Sequence, residues 1–65
     1  MNMKMSEFYI GQELNLALGQ MGSSILKVVA IDSPGYRLKL KYDTGKEVVL
    51  NKETIEYIMM GKFEE

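Results

Sequence analysis

The chain contains no cysteine, no histidine, no tryptophan and a single proline. Without cysteine there are no disulfides. Without cysteine and histidine the usual zinc ligands and the common nucleophile and base pairs of catalysis are missing as well. Carboxylates are present, among them Glu13, Asp32, Asp43 and Glu47, but none lies in a catalytic motif. A small chain also offers little of the water-excluded pocket that catalysis uses. The expectation is therefore no enzyme, no metal and no cofactor. No apolar run is long enough to cross a bilayer. Residues 1–5 carry one Lys and no apolar stretch of the secretion-signal kind, so no membrane association is expected. Absence of cysteine is compatible with a reducing compartment, and a cytoplasmic location is expected.

The 65 residues present leave room for one domain, 1–65, with a core over about 10–60 and ends that are flexible or form an interface. A domain of this size buries a modest share of its surface and is only marginally stable. The composition is 46% hydrophobic but 9% aromatic, so aliphatic side chains must supply most of the burial. The formal net charge is −1, which argues against a general nucleic-acid coat. That charge is unevenly spread. Residues 24–52 hold six cations (Lys27, Arg37, Lys39, Lys41, Lys46, Lys52) against three anions (Asp32, Asp43, Glu47), a net +3. Residues 53–65 hold four glutamates against Lys62, a net −3.

Ser6 is placed to cap one helical turn over residues 6–10, which Gly11 ends. Leu14, Leu16 and Leu18 alternate with Glu13, Asn15 and Ala17, the period of a strand with one apolar face. Residues 19–24 form a loop, and residues 25–32, rich in Val and Ile, form a second strand. Ser33-Pro34-Gly35 closes it, with Gly35 in the positive-φ position of a type II turn. Tyr36, Leu38, Leu40 and Tyr42 alternate with Arg37, Lys39 and Lys41. Asp43-Thr44-Gly45 then makes a three-residue hairpin loop with Gly45 left-handed. That loop puts Tyr42 opposite Lys46, Leu40 opposite Val48 and Leu38 opposite Leu50 on the inner face. Lys41 then faces Glu47, and Lys39 faces Val49, on the outer face. Residues 51–54 form a short capped turn, and residues 55–60 a fifth short strand.

These residues resemble a known architecture. Ile10-Gly11-Gln12-Glu13-Leu14 looks like the entry into the first strand of Tudor-type and related Src-homology-type small barrels. The run from Leu38 through Tyr42-Asp43-Thr44-Gly45 to Leu50 is similar to the Tudor hairpin. The turn at 51–54 followed by Ile55-Glu56-Tyr57-Ile58 matches the last turn and strand of that family. The resemblance covers residues 10–58. It implies an all-β fold, a small five-stranded, strongly bent SH3-like barrel with a short 3₁₀ turn before the last strand. Tudor domains read methylated side chains with an aromatic cage; residues 10–58 offer Tyr36, Tyr42 and Tyr57, the first two on the inward face of the third strand. Sm-like barrels are a cousin, which Val28-Val29-Ala30-Ile31-Asp32 and residues 55–61 resemble.

Four features are candidates for function. Arg37, Lys39 and Lys41 form a basic stripe on one outward face, about 7 Å apart by strand rise, to which Lys46 adds; it suits phosphates or an acidic peptide, or is simply solvated. Gly22, Ser23 and Ser24 follow a G-x-x-G (residues 19–22) that lacks the flanking helices of a K-homology loop, yet their amides suit an anion. The second strand is apolar on both faces. Uninterrupted pairing of Ile31 with Leu38 and Val29 with Leu40 would turn Leu26, Val28 and Ala30 outward, an interface between copies; a bulge would bury them instead. The Met-rich ends, Met59 and Met60 included, suit a contact patch or core filling. The function expected is a non-enzymatic binding module that engages a protein or, with less support, a nucleic acid through the central hairpin face. The alternative is a small oligomeric phage-type inhibitor, or a nucleotide- or ligand-sequestering protein, with Leu26, Val28, Met59 and Met60 joining copies.

Overall fold

A computed structural model describes residues 4–17 and 22–59. Residues 1–3, 18–21 and 60–65, with Leu18, Gly19 and Met60 among them, lie outside the described residues. Among the described residues, four strands form one antiparallel, unclosed sheet in sequence order: β1 (Glu13–Ala17), β2 (Ser23–Asp32), β3 (Arg37–Lys41) and β4 (Glu47–Asn51). A short helix, α1 (Lys52–Ile58), follows β4. The fold is thus mostly β.

The central hairpin has the register its alternation dictates. Leu38 faces Leu50, Lys39 faces Val49, Leu40 faces Val48 and Lys41 faces Glu47. Leu38 and Leu40 are fully buried, while Arg37, Lys39 and Lys41 are exposed. The loop is the three-residue type: Gly45 N–H donates to Tyr42 O (3.0 Å), Tyr42 N–H donates to Lys46 O (2.8 Å), and Gly45 sits at φ 98°. Only a residue without Cβ enters that region without strain.

The turn between β2 and β3 differs from expectation. Tyr36 N–H donates to Ser33 O (3.1 Å), as a four-residue turn requires, but the positive φ falls on Tyr36 (54°) and not on Gly35. Gly35 is needed for space instead. A Cβ there would overlap the Asp32 carboxylate and lie 2.9 Å from Arg37 Nε. Tyr36, expected inward, is exposed because the left-handed residue precedes the strand and does not share its pleat.

The second correction concerns β2. Ile31 pairs with Leu38 as expected, but Leu40 pairs with Val28 and not with Val29. Val29 is the extra residue of a bulge. Without it, Lys27 would point into the core and Leu26 and Val28 into water. With it, Leu26 and Val28 are fully buried and Lys27 is exposed. Burying an unpaired ammonium is far costlier than one disrupted ladder position, which is why the bulge wins. Leu26 and Val28 therefore cannot join two copies.

The third correction is the segment expected as a fifth strand. Residues 55–58 belong to α1, and a single antiparallel bridge, Leu16 to Met59, follows the helix. Asn51 caps the helix, its Oδ1 accepting from Thr54 N–H (2.7 Å), which satisfies a donor the first turn leaves open. Lys52 and Glu56 pair at 2.8 Å with i,i+4 spacing. Ile55 and Ile58, three apart, share a face; Ile55 is fully buried and Ile58 packs against the core cluster. At the other end, the 3₁₀ turn spans Met5–Glu7 and not 6–10, and Lys4, not Ser6, precedes it. Glu7 Oε1 accepts from Lys4 N–H (3.1 Å) and closes that turn.

The core is Phe8, Leu14, Leu16, Leu26, Val28, Leu38, Leu40 and Ile55, drawn from the inner face of the sheet, the N-terminal segment and the helix. Met59 is half-buried against it, as a core-filling methionine is. The basic stripe therefore lies on the outer face, with Lys46 in the hairpin loop, while Leu26, Val28 and Met59 belong to the core.

Candidate functional site

On the outer face, cross-strand pairing builds one continuous row: Glu13 opposite Lys27, Lys27 opposite Lys41, Lys41 opposite Glu47. The order of signs is minus, plus, plus, minus. Like charges directly opposite each other oppose strand pairing, so the central pair is the exceptional element of the row. Among the described residues neither Lys27 nor Lys41 has a carboxylate within ion-pair distance.

The rest of the basic stripe is neutralised. Arg37 Nη2 and Nε donate to Asp32 Oδ2 at 2.8 and 3.2 Å. Those bonds, with Gly35 N–H donating to Oδ1 (3.2 Å), hold the Asp32 carboxyl below its usual range of about 3.8. Lys39 lies 3.9 Å from Glu47. The Lys46 ammonium stands 5.9 Å over the Tyr42 ring, a cation–π contact that holds it beside the loop.

An open concavity of about 920 Å³ adjoins the lysine pair. Glu13 and Asn15 of β1, Ser23, Ser24, Ile25 and Lys27 of β2, Lys41 of β3 and loop residues 42–45 line it. It exists because β2 is ten residues long and β3 five. β3 stops where Lys41 meets Lys27, and the chain then turns away through the hairpin loop. The exposed end of β2 and the side of that loop form a corner.

Of the residues expected to bind, Lys41, Ser23 and Ser24 come together here; Arg37, Lys39, Lys46 and Gly22 are outside the lining. Gly22 takes φ 87° at the entry to β2. Lys27 and Ile25 were not expected. Ile25 is 58% exposed, an apolar patch amid polar neighbours. The signal for Lys27 is the pairing of β2 with β3, which becomes readable only after the bulge is placed. Tyr36 and Tyr42 flank opposite ends of β3, about 20 Å apart by strand rise, too far to share one aromatic cage.

Among the described residues no cluster of three acidic side chains is placed to hold a metal ion, and no helix is long and apolar enough to cross a membrane. Comparison with family models, with curated proteins and with solved structures finds no match to this chain.

Proposed function

We propose that this protein is a small non-enzymatic binding module that engages an acidic segment of a partner protein on the outer face of its sheet, around Lys27 and Lys41. The observation that carries the reading is the position of the two ammonium groups. They are cross-strand neighbours without ion pairs, at the edge of a concavity, while the cations beside them are already matched by Asp32 and Glu47. An anionic group entering there would relieve the repulsion and gain two charge-assisted hydrogen bonds. Glu13 and Glu47 at the ends of the row, and Asp43 in the loop, limit the attraction for a polyanion, which favours a protein segment with a few acidic side chains over a phosphate backbone.

A barrel-like frame of the Tudor or Src-homology type fits this reading. α1 returns the chain to β1 through the Leu16 to Met59 bridge, the side on which closure of the sheet would occur.

Fluorescence anisotropy tests the function, using a labelled ten-residue peptide of alternating Glu and Ser and a labelled ten-nucleotide oligothymidylate. The peptide is expected to bind more tightly, and Lys27→Glu with Lys41→Glu to abolish binding. Arg37→Gln is expected to leave it nearly unchanged. Tighter binding of the oligonucleotide with a steep salt dependence, or indifference to the lysine pair, would overturn the reading.

A further inference from the structure

Backbone direction at the end of β2 adds a specific mode of binding. Val28 N–H donates to Gln12 O and Val28 O accepts from Gly11 N–H, both at 2.8 Å, so the backbone groups of Val28 point toward β1. Along an antiparallel strand this direction alternates residue by residue. Leu26 and Ser24 therefore also turn toward β1, while Lys27, Ile25 and Ser23 turn to the other side. There Lys27 meets Lys41, the last residue of β3. Beyond it, Tyr42 N–H bonds Lys46 and the chain leaves the sheet. Ile25 and Ser23 pair with β1 as neighbours on one side, and among the described residues their outward N–H and C=O groups meet no backbone partner. These groups open into the concavity that Ile25 and the two lysines line.

We propose that this half-length of β2 is a strand-addition site: an extended segment of a partner protein continues the line of β3, bonds the free backbone groups of Ile25 and Ser23, lays an apolar side chain beside Ile25 and sets an acidic side chain against Lys27 and Lys41. The proposal rests on the protein-binding reading above and gives it a geometry. The occupant follows from the site. An exposed strand edge accepts only a backbone that can return both a donor and an acceptor, which a nucleic acid does not supply in that spacing. The unpaired ammonium groups at the inner end select an acidic residue, and 58% exposed Ile25 selects an apolar neighbour.

The test uses the capped hexapeptide Glu-Ser-Val-Ser-Val-Ser, whose Glu and Val side chains share one face of an extended strand, and the same peptide N-methylated at its Glu and two Val residues. Charge and side chains are then equal, and only the strand edge is blocked. The parent peptide is expected to bind about tenfold or more tightly than its methylated form, since about two net hydrogen bonds are lost. Amide hydrogen exchange at Ile25 is expected to slow on adding the parent alone. Equal binding of both peptides, weakened by Lys27→Gln with Lys41→Gln, would overturn strand addition and leave the outer-face reading standing. Binding of neither peptide would overturn both. A free chain that sediments as a dimer and becomes monomeric on Ile25→Pro would assign the edge to a second copy and overturn the proposal. The ligand-side modification needs no change to the protein, so a variant that fails to fold does not affect the outcome.

Discussion

Lys27 stands directly opposite Lys41 on the outer face of the sheet, and Glu13 and Glu47 stand opposite them on their other sides. A row selected for stability alone would alternate signs. Exchanging the last two members, Lys41→Glu with Glu47→Lys, gives that alternation with no change in composition or net charge. It sacrifices the long contact of Lys39 with Glu47, which is exposed and weak. The double variant is expected to be more stable by about 0.5 kcal/mol in urea denaturation, and to lose affinity for acidic peptides. A less stable double variant would mean that the lysine pair carries no electrostatic strain.

Asn51 determines whether residues 52–58 form a helix. Asn51→Ala removes the acceptor for Thr54 N–H and is expected to lower stability by about 1 kcal/mol. Asn51→Asp should retain it, because the carboxylate accepts the same bond and faces the positive end of the helix. Equal effects of the two substitutions on the thermal midpoint would contradict the cap.

The two hairpin turns make opposite demands on their left-handed residues. Gly45 at φ 98° has open space where a Cβ would project, so Gly45→Ala is expected to lose about 1 kcal/mol through backbone strain alone. Tyr36 at φ 54° already carries such strain, and Tyr36→Gly is expected to gain about 0.5 kcal/mol once the freer unfolded chain is counted. Denaturant midpoints of the two variants should move in opposite directions.

Asp32 makes the stability of the β2–β3 turn depend on pH. Its carboxyl titrates below the usual 3.8, first because Arg37 donates to it and then because Gly35 N–H does. A lowered folded-state pKa means the contribution is complete above the unfolded value and is lost as the pH falls through the lower folded one. Carboxyl chemical shifts should therefore report a titration midpoint below 3.8 for Asp32. Arg37→Gln should raise it, and Gly35→Ala should do the same by displacing the carboxylate from the guanidinium. A midpoint unmoved by either substitution would contradict the cause assigned.

Residues 36–50 were the most legible part of the sequence. Strict alternation fixed the faces, and a glycine at the third loop position fixed the register, so pairings from Lys39 with Val49 to Lys41 with Glu47 followed without tertiary information. The bulge was hidden because Val28, Val29 and Ala30 are all apolar and any of them fits inside. Only Lys27, one position before that run, distinguishes the arrangements. Helix α1 was hidden because Ile55, Tyr57 and Ile58 are residues that strands favour, and seven residues are too few for periodicity to outweigh composition. The basic stripe was legible as a face, but not the neutralisation of Arg37 by Asp32 across the turn, nor the corner where β3 ends short of β2.

Ligand recognition at the lysine pair and the corner beside it is the central claim. Amide chemical-shift mapping with the hexapeptide Glu-Ser-Val-Ser-Val-Ser tests it most directly. The largest changes are predicted at Ile25, Lys27, Lys41 and Gly45, with little at Arg37 and Lys52. Changes centred on the outer edge of β4 or on α1, with Ile25 and Lys27 unmoved, would contradict it.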